Sequence, residues 1–268
     1  MTEVIAEIGW NHMGNMNLAK KMIEEASSAG ASFAKFQTWS VDRLKPGEWD
    51  NDGRREIYIK AELTREKHVE LIDYCKEIGI KFLSSVFSVK DAELLASLEI
   101  KEVKIPSFES RDYKLIEYCN EHFENIYMST GTSTFDEIKY SVSLVDKAVL
   151  TLLHCVSAYP CKAENANITK IKKLRELCDN IGYSDHISGV ESAKVAMKYD
   201  INVVEKHFTV DKGLPGRDNK FAILPEEMKN LRNFIDLYDK MHIDLGANYL
   251  SIEANSRLNY TGRFNGQS

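Results

Sequence analysis

Two histidines, His186 and His207, each close a short apolar run, in "NIGYSDHISGV" and "INVVEKHFTVD". Each has a carboxylate near it, Asp185 beside the first and Glu205 two residues before the second. A lone strand-end histidine is more often a hydrogen-bonded structural group. Two on adjacent strand tips can share one divalent ion, with a carboxylate or waters completing the shell, and the pair is read as a metal site on that condition. Two lysines, Lys35 and Lys104, also end otherwise apolar runs, where an unpaired ammonium would be costly. Hydroxyls at Ser85, Ser107, Ser129 and Ser184 fall at corresponding points of other runs. Cations ringed by hydroxyls and loop amides make a pocket for a phosphate or a carboxylate.

These residues need a scaffold that gathers them. Apolar β-branched runs at 3–9, 32–37, 81–86, 102–106, 125–130, 148–155, 180–185 and 201–208 alternate with helical periodicity at 17–29, 64–78, 89–98, 111–122, 134–146, 167–178, 189–199 and 225–241. Eight strand-helix units in one chain predict a single-domain α/β fold, the (β/α)8 TIM barrel, over residues 1–242. A doubly wound sheet would call for a glycine-rich first turn of G-x-G-x-x-G type, and "EIGWNHMGNM" is not one. In a barrel the strand C-termini carry the chemistry, and here they read Glu7, Asn11, His12; Lys35, Gln37; Ser84, Ser85; Lys104, Ser107, Glu109; Ser129, Thr130; His154, Ser157, Tyr159; Ser184, Asp185, His186; Glu205, Lys206, His207. Residues 38–63 are too long for a plain turn and are expected to sit on that rim as a lid. Residues 243–268 form a polar tail without clear period.

The chain has 268 residues, 43% of them hydrophobic, enough for a full core, and a formal charge of -6 that argues against a nucleic-acid partner. The longest apolar runs fall short of a bilayer span and the N-terminus lacks a basic stretch followed by an apolar one, so no membrane partner and a cytoplasmic location are expected. Five cysteines with no C-x-x-C spacing read as reduced thiols. Cys155 and His154, adjacent on a strand, face opposite sides and do not form a nucleophile-base pair.

The stretches "AEIGWNHMG", "AKFQT", "FLSSVFS", "KIPSFE", "MSTGT", "LLHCVSAYP", "GYSDHISG" and "VEKHFTVDKGLPGRD" occur in the order of the signatures of the N-acetylneuraminate (sialic acid) synthase family, and the chain resembles that family from residue 5 to about 225. The resemblance implies a (β/α)8 barrel that condenses phosphoenolpyruvate with an aldose of N-acyl-hexosamine type, releasing phosphate, in surface-polysaccharide biosynthesis. It implies that Lys35, Ser85, Lys104, Ser107, Ser129 and Ser184 hold phosphoenolpyruvate, with Ser157 near a position usually asparagine. It implies that His186 and His207 bind a divalent metal, Mn2+ with Mg2+ or Co2+ as alternatives. Glu7 would be the acid/base group, Gln37, Glu109, Tyr159 and Asp218 would face the sugar, and a homodimer is expected.

Where the family continues into a small antifreeze-like domain that offers an arginine to the sugar, this sequence shows only the polar tail. "KIPSFE" carries Pro106 and Phe108 where the family favours small residues, and Asp218 is followed by Asn219. Arg217, Arg257 or Arg263 stand as candidates for the arginine's place. Two other readings stay open: the same phosphoenolpyruvate chemistry on a different aldehyde, and a barrel without turnover that binds a sugar acid or a partner protein.

Overall fold

A computed structural model describes residues 2–265. Eight parallel strands close on themselves in chain order: β1 Glu3–Gly9, β2 Phe33–Thr38, β3 Lys81–Val86, β4 Glu102–Ile105, β5 Asn125–Ser129, β6 Val149–Cys155, β7 Ile181–Asp185 and β8 Val203–His207. The helices are α1 Met16–Ser28, α2 Arg54–Ala61, α3 Arg65–Ile78, α4 Val89–Ala96, α5 Tyr113–His122, α6 Phe135–Ser143, α7 Ile171–Leu174, α8 Glu191–Ala196, α9 Pro225–Met241 and α10 Ala254–Tyr260. Local chemistry starts several of them. Asn15, Thr64, Ser88, Asp112 and Thr134 each accept a backbone N–H of the first turn, which satisfies one of the donors a helix leaves unpaired.

Strand alternation divides the side chains into two cores. Val4, Ala6, Ile8, Ala34 and Phe36 point outward into the large core shared with the helices. Ile5, Phe33, Leu83, Tyr127, Leu153 and Val203 point inward and fill the barrel. Two residues further along the same strands come Glu7, Lys35, Ser85, Ser129, Cys155 and Glu205, so the next inward layer is polar. The apolar layer is thus a floor that keeps water out beneath the polar one. Gly182 is β7's place in that floor, and a Cβ there would lie 2.4 Å from Val203 Cγ1 and 2.8 Å from Val203 O.

Three segments differ from the sequence expectation. Residues 38–63 contain helix α2, of which only Ala61 is buried, so no amphipathic period marks it. Around 167–178 a 3-10 turn Ile168–Lys170 leads into the single turn of α7, where Ile171 and Leu174 alone are buried and Asn167 is left-handed at φ 44°. The expected polar tail carries α10, preceded by a 3-10 turn in which Glu253 accepts the Leu250 N–H at 2.6 Å; residues 266–268 of that tail lie outside the described residues.

Overpacking the floor should be costly. Gly182→Ala is expected to lower the unfolding free energy by about 1–3 kcal/mol, measured by chemical denaturation. Adding Val203→Ala should recover part of that loss, because the nearest obstructing atom is the Val203 methyl. An unchanged midpoint for Gly182→Ala would contradict this packing.

Candidate active site

The strand register brings the polar layer together. Glu7 pairs in register with Lys35 on one side and His207 on the other, Ser85 with Lys104, and Ser184 with both Cys155 and Glu205. The result is a cavity of ≈ 280 Å³ at the carboxyl ends of the strands. Every site residue expected from the sequence except Glu109 lines it: Glu7, Lys35, Gln37, Ser85, Lys104, Ser107, Ser129, Ser157, Tyr159, Ser184, His186, His207 and Asp218. Glu109, half-buried on the 3-10 turn Ser107–Glu109, stands outside that lining.

Charge is distributed within it in a definite way. Lys35 Nζ lies 2.6 Å from Glu7 Oε2 and 3.6 Å from Glu205 Oε2, and it donates to Ser85 Oγ at 2.9 Å. Gln37 Nε2 donates to Glu7 Oε1 at 2.7 Å, and Ser184 Oγ donates to Glu205 Oε1 at 2.8 Å. Lys104 Nζ has only neutral partners within bonding distance among the described residues, Ser129 Oγ at 2.5 Å and Ile105 O at 3.3 Å. Burial pushes the Lys104 ammonium down, against the pull of Glu205. Burial raises the Glu7 carboxyl above its ordinary range and Glu205 adds to this, while Lys35 opposes it. Glu205 is itself disfavoured by burial, yet Lys104 and Lys35 together hold its carboxyl below the usual value. One carboxyl is therefore tuned towards the acid form and its neighbour towards the carboxylate.

The two imidazoles meet. Their ring centroids lie 5.3 Å apart, inclined at 51°. His186 Nδ1 donates to Val156 O at 2.9 Å, which makes Nε2 the nitrogen that a metal would take on displacing its proton. His207 Nδ1 is buried without a hydrogen-bond partner among the described residues, 3.8 Å from Asp218 Oδ2. Burial, then the charges of His186 and Lys35, hold His207 well below its ordinary pKa, in the neutral form that ligates metals. The pair fits a divalent ion as a two-imidazole set. No group of three or more His, Cys, Asp or Glu side chains is assembled as a metal site among the described residues, so further ligands would be oxygens of water or substrate.

Several strand-end residues serve structure. Asp185, the carboxylate next to His186 in sequence, faces outward, where Tyr183, Ser192, Lys206 and the Ile187 N–H donate to it. Lys206 is taken up by that network. Ser84 bonds Thr38, His154 bonds Ala166 O, Thr130 donates to Leu153 O, and Asn11 donates to Phe208 O. His12 Nδ1 accepts the Gly14 N–H at 3.1 Å. Sequence reasoning missed Trp10, Phe87 and Cys155 as cavity residues. Cys155 Sγ lies 3.8 Å from His186 Nδ1, a pairing across strands that no spacing along the chain reveals. Burial works against its thiolate, but His186 and Ser107 bring the thiol below its ordinary pKa. Arg217 stacks over Tyr159 at 5.2 Å and its Nε donates to Asp218 Oδ1 at 3.3 Å. Arg257 and Arg263 lie over Tyr249 and Tyr260 in the exposed segment after α9 and do not line the cavity.

Comparison with known proteins places this arrangement. The profile of the NeuB family matches residues 22–244. N,N'-diacetyllegionaminic acid synthase of Campylobacter jejuni is 34% identical over 247 residues, covering 86% of this chain and 74% of that protein. Pseudaminic acid synthase of Helicobacter pylori is 35% identical over 236 residues, covering 82% of this chain and 69% of that protein. The crystal structure of an N-acetylneuraminic acid synthetase from Leptospira borgpetersenii, in complex with citrate, superposes with a TM-score of 0.86 at 28% identity, covering 99% of this chain and 93% of that one.

The structural role of His12 predicts a pH dependence. Burial, helped by the charge of Lys67, lowers its pKa to about 4. The unfolded chain therefore binds a proton between pH 6.5 and 4 that the folded chain refuses, and stability rises with pH across that window. The loss on acidification through it should reach about 3 kcal/mol. His12→Phe should flatten the slope of unfolding free energy against pH there, and an unchanged slope would refute the assignment.

Proposed function

The chain belongs to the NeuB family, and from that premise we propose that it condenses phosphoenolpyruvate with an aldose of the N-acyl-hexosamine kind, giving a 3-deoxy-2-keto sugar acid and free phosphate. The observation that carries this reading is the Lys104 ammonium, buried with neutral partners alone among the described residues, set among Ser85, Ser107 and Ser129 in the cavity at the strand ends. Such a cation is stabilised by an anion that arrives with the substrate. Relatives at 34% and 35% identity bear the names of acid synthases of this type.

The residues allot the steps as follows. Lys35 and Lys104, with the hydroxyls of Ser85, Ser107, Ser129 and Ser184, bind the phosphate and carboxylate of phosphoenolpyruvate and fix its C3 towards the mouth of the cavity. Gln37, Tyr159 and Asp218 hold the open-chain sugar. When C3 bonds to the aldehyde carbon, the carbonyl electrons move to oxygen, and Glu7, raised towards its acid form, is the group to protonate that alkoxide. Water adds at C2 and gives up a proton, for which Glu205 is the nearby carboxylate; loss of phosphate from C2 then leaves the 2-keto acid. His186 and His207 would hold a divalent ion, Mn2+ by proposal, which when bound supplies Lewis-acid polarisation of the aldehyde. Removal of the ion should therefore matter as much as loss of a ligand.

Phosphate release from phosphoenolpyruvate across a panel of aldoses tests this. Release should require both an aldose and a divalent metal. Glu7→Gln should lower kcat by about 10²–10⁴-fold with the fold intact, and His186→Ala should abolish metal-dependent turnover. Full activity in the presence of a chelator would overturn the metal assignment, and silence with every aldose would overturn the condensation.

A further inference from the structure

The segment expected to act as a lid has an aromatic underside. Trp10, Trp39, Leu44, Tyr58 and Phe87, with Gln37, line a second chamber of ≈ 210 Å³, and Trp10, Gln37 and Phe87 also line the catalytic cavity. The two spaces abut at those three side chains. Tyr58 meets the rings of Trp10 and Trp39 edge-on, each with a centroid separation of 5.5 Å, and both tryptophans are only 8% exposed. These contacts fix the walls. Gln37 gives its Nε2 to Glu7, and its carbonyl oxygen takes no hydrogen bond among the described residues.

Phosphoenolpyruvate fits such a space poorly, because its phosphate and carboxylate would lose water there and meet no cation among the lining residues. The occupant therefore belongs to the other reactant. The wall is mostly ring carbon and a leucine, so the several hydroxyls of an aldose would trade water for few polar partners, whereas a methyl-terminated group gains from burial there. The unused acceptor on Gln37 matches an amide N–H at the base of that group. We propose that this chamber is the subsite for an acylamino substituent of the acceptor sugar, with Trp39, Leu44 and Tyr58 of the overlying segment as its specificity-determining walls. The inference rests on the condensation set out above.

The experiment compares one aldose bearing a hydroxyl, an N-acetyl or an N-propanoyl group at the same carbon, in native enzyme and in Trp39→Ala, Trp39→Phe and Leu44→Phe. The acetylated acceptor should exceed the hydroxyl form in kcat/KM by about 10–200-fold, the range set by apolar discrimination. Leu44→Phe, which fills the chamber without emptying the core, should erase most of that preference and exclude the propanoyl sugar. Trp39→Ala should erase it too and Trp39→Phe should largely restore it, with KM for phosphoenolpyruvate unchanged in all three. Equal use of the hydroxyl and acyl forms, or variants that slow every acceptor by one factor, would overturn the subsite. If no acceptor releases phosphate, the condensation itself is wrong, and tryptophan fluorescence decides the chamber separately. Two of the three tryptophans line it, so a saturable change with the N-acetyl sugar, lost in Trp39→Ala, upholds the subsite, and no change overturns it.

Discussion

Two carboxylates and two ammonium groups, all nearly shut off from solvent, sit on strands β8, β1, β2 and β4 of one barrel. Taking four charges out of water would be ruinous if they were not mutually compensated. Lys35 lies between Glu7 and Glu205, and Glu205 also answers Lys104 at longer range. The compensation is incomplete at Lys104. That residual positive field, walled by hydroxyls and underlain by an apolar floor, is what the rest of the site is built around. The floor matters as much as the charges, because water admitted from below would screen every interaction above it.

The same field separates the two carboxyls. They are both buried glutamates on adjacent strands, β1 and β8, yet one is pushed towards its protonated form and the other away from it. The difference lies in how many ammonium groups each one faces. A pair poised in this way can give a proton at one point and accept one at another without an external buffer. The imidazoles extend the gradient: His207 is held neutral by burial and by the cations around it, while contact with Cys155 and Val156 O raises His186 despite its own burial.

Much of this was legible in the sequence. The eight strands were placed within two residues of their observed ends because β-branched runs bounded by turn residues coincide with strands buried on both faces. Period two accounts for Glu7, Lys35 and Ser85 sharing one side of the wall. What could not be read was which flanking polar residues leave that side. Asp185 and Lys206 pair in register and satisfy each other outside the barrel, while Ser184 and Glu205 do the same inside it. A sequence lists all four without saying which pair faces the cavity. Cys155 escaped for a related reason: its partner lies 31 positions away, across a strand pairing.

The overlying segment shows a different limit. Helix α2 buries one residue and has no apolar stripe, so nothing in its periodicity announces it. What secures it is tertiary: Trp39, Val41 and Ala61 pack on Trp10, the Arg43 guanidinium pairs with Asp91 at the start of α4, and α2 passes so close to the β1 loop that residue 14 has no room for a Cβ beside Lys60 O. Gly14, at φ 80°, accepts both the left-handed backbone and the contact. These anchors are apolar or lie away from the lysines, so the cover can be held in place without drawing on the charges that serve the chemistry. The barrel and its cover thus divide the work, the strands supplying charge of fixed position and the cover supplying apolar shape.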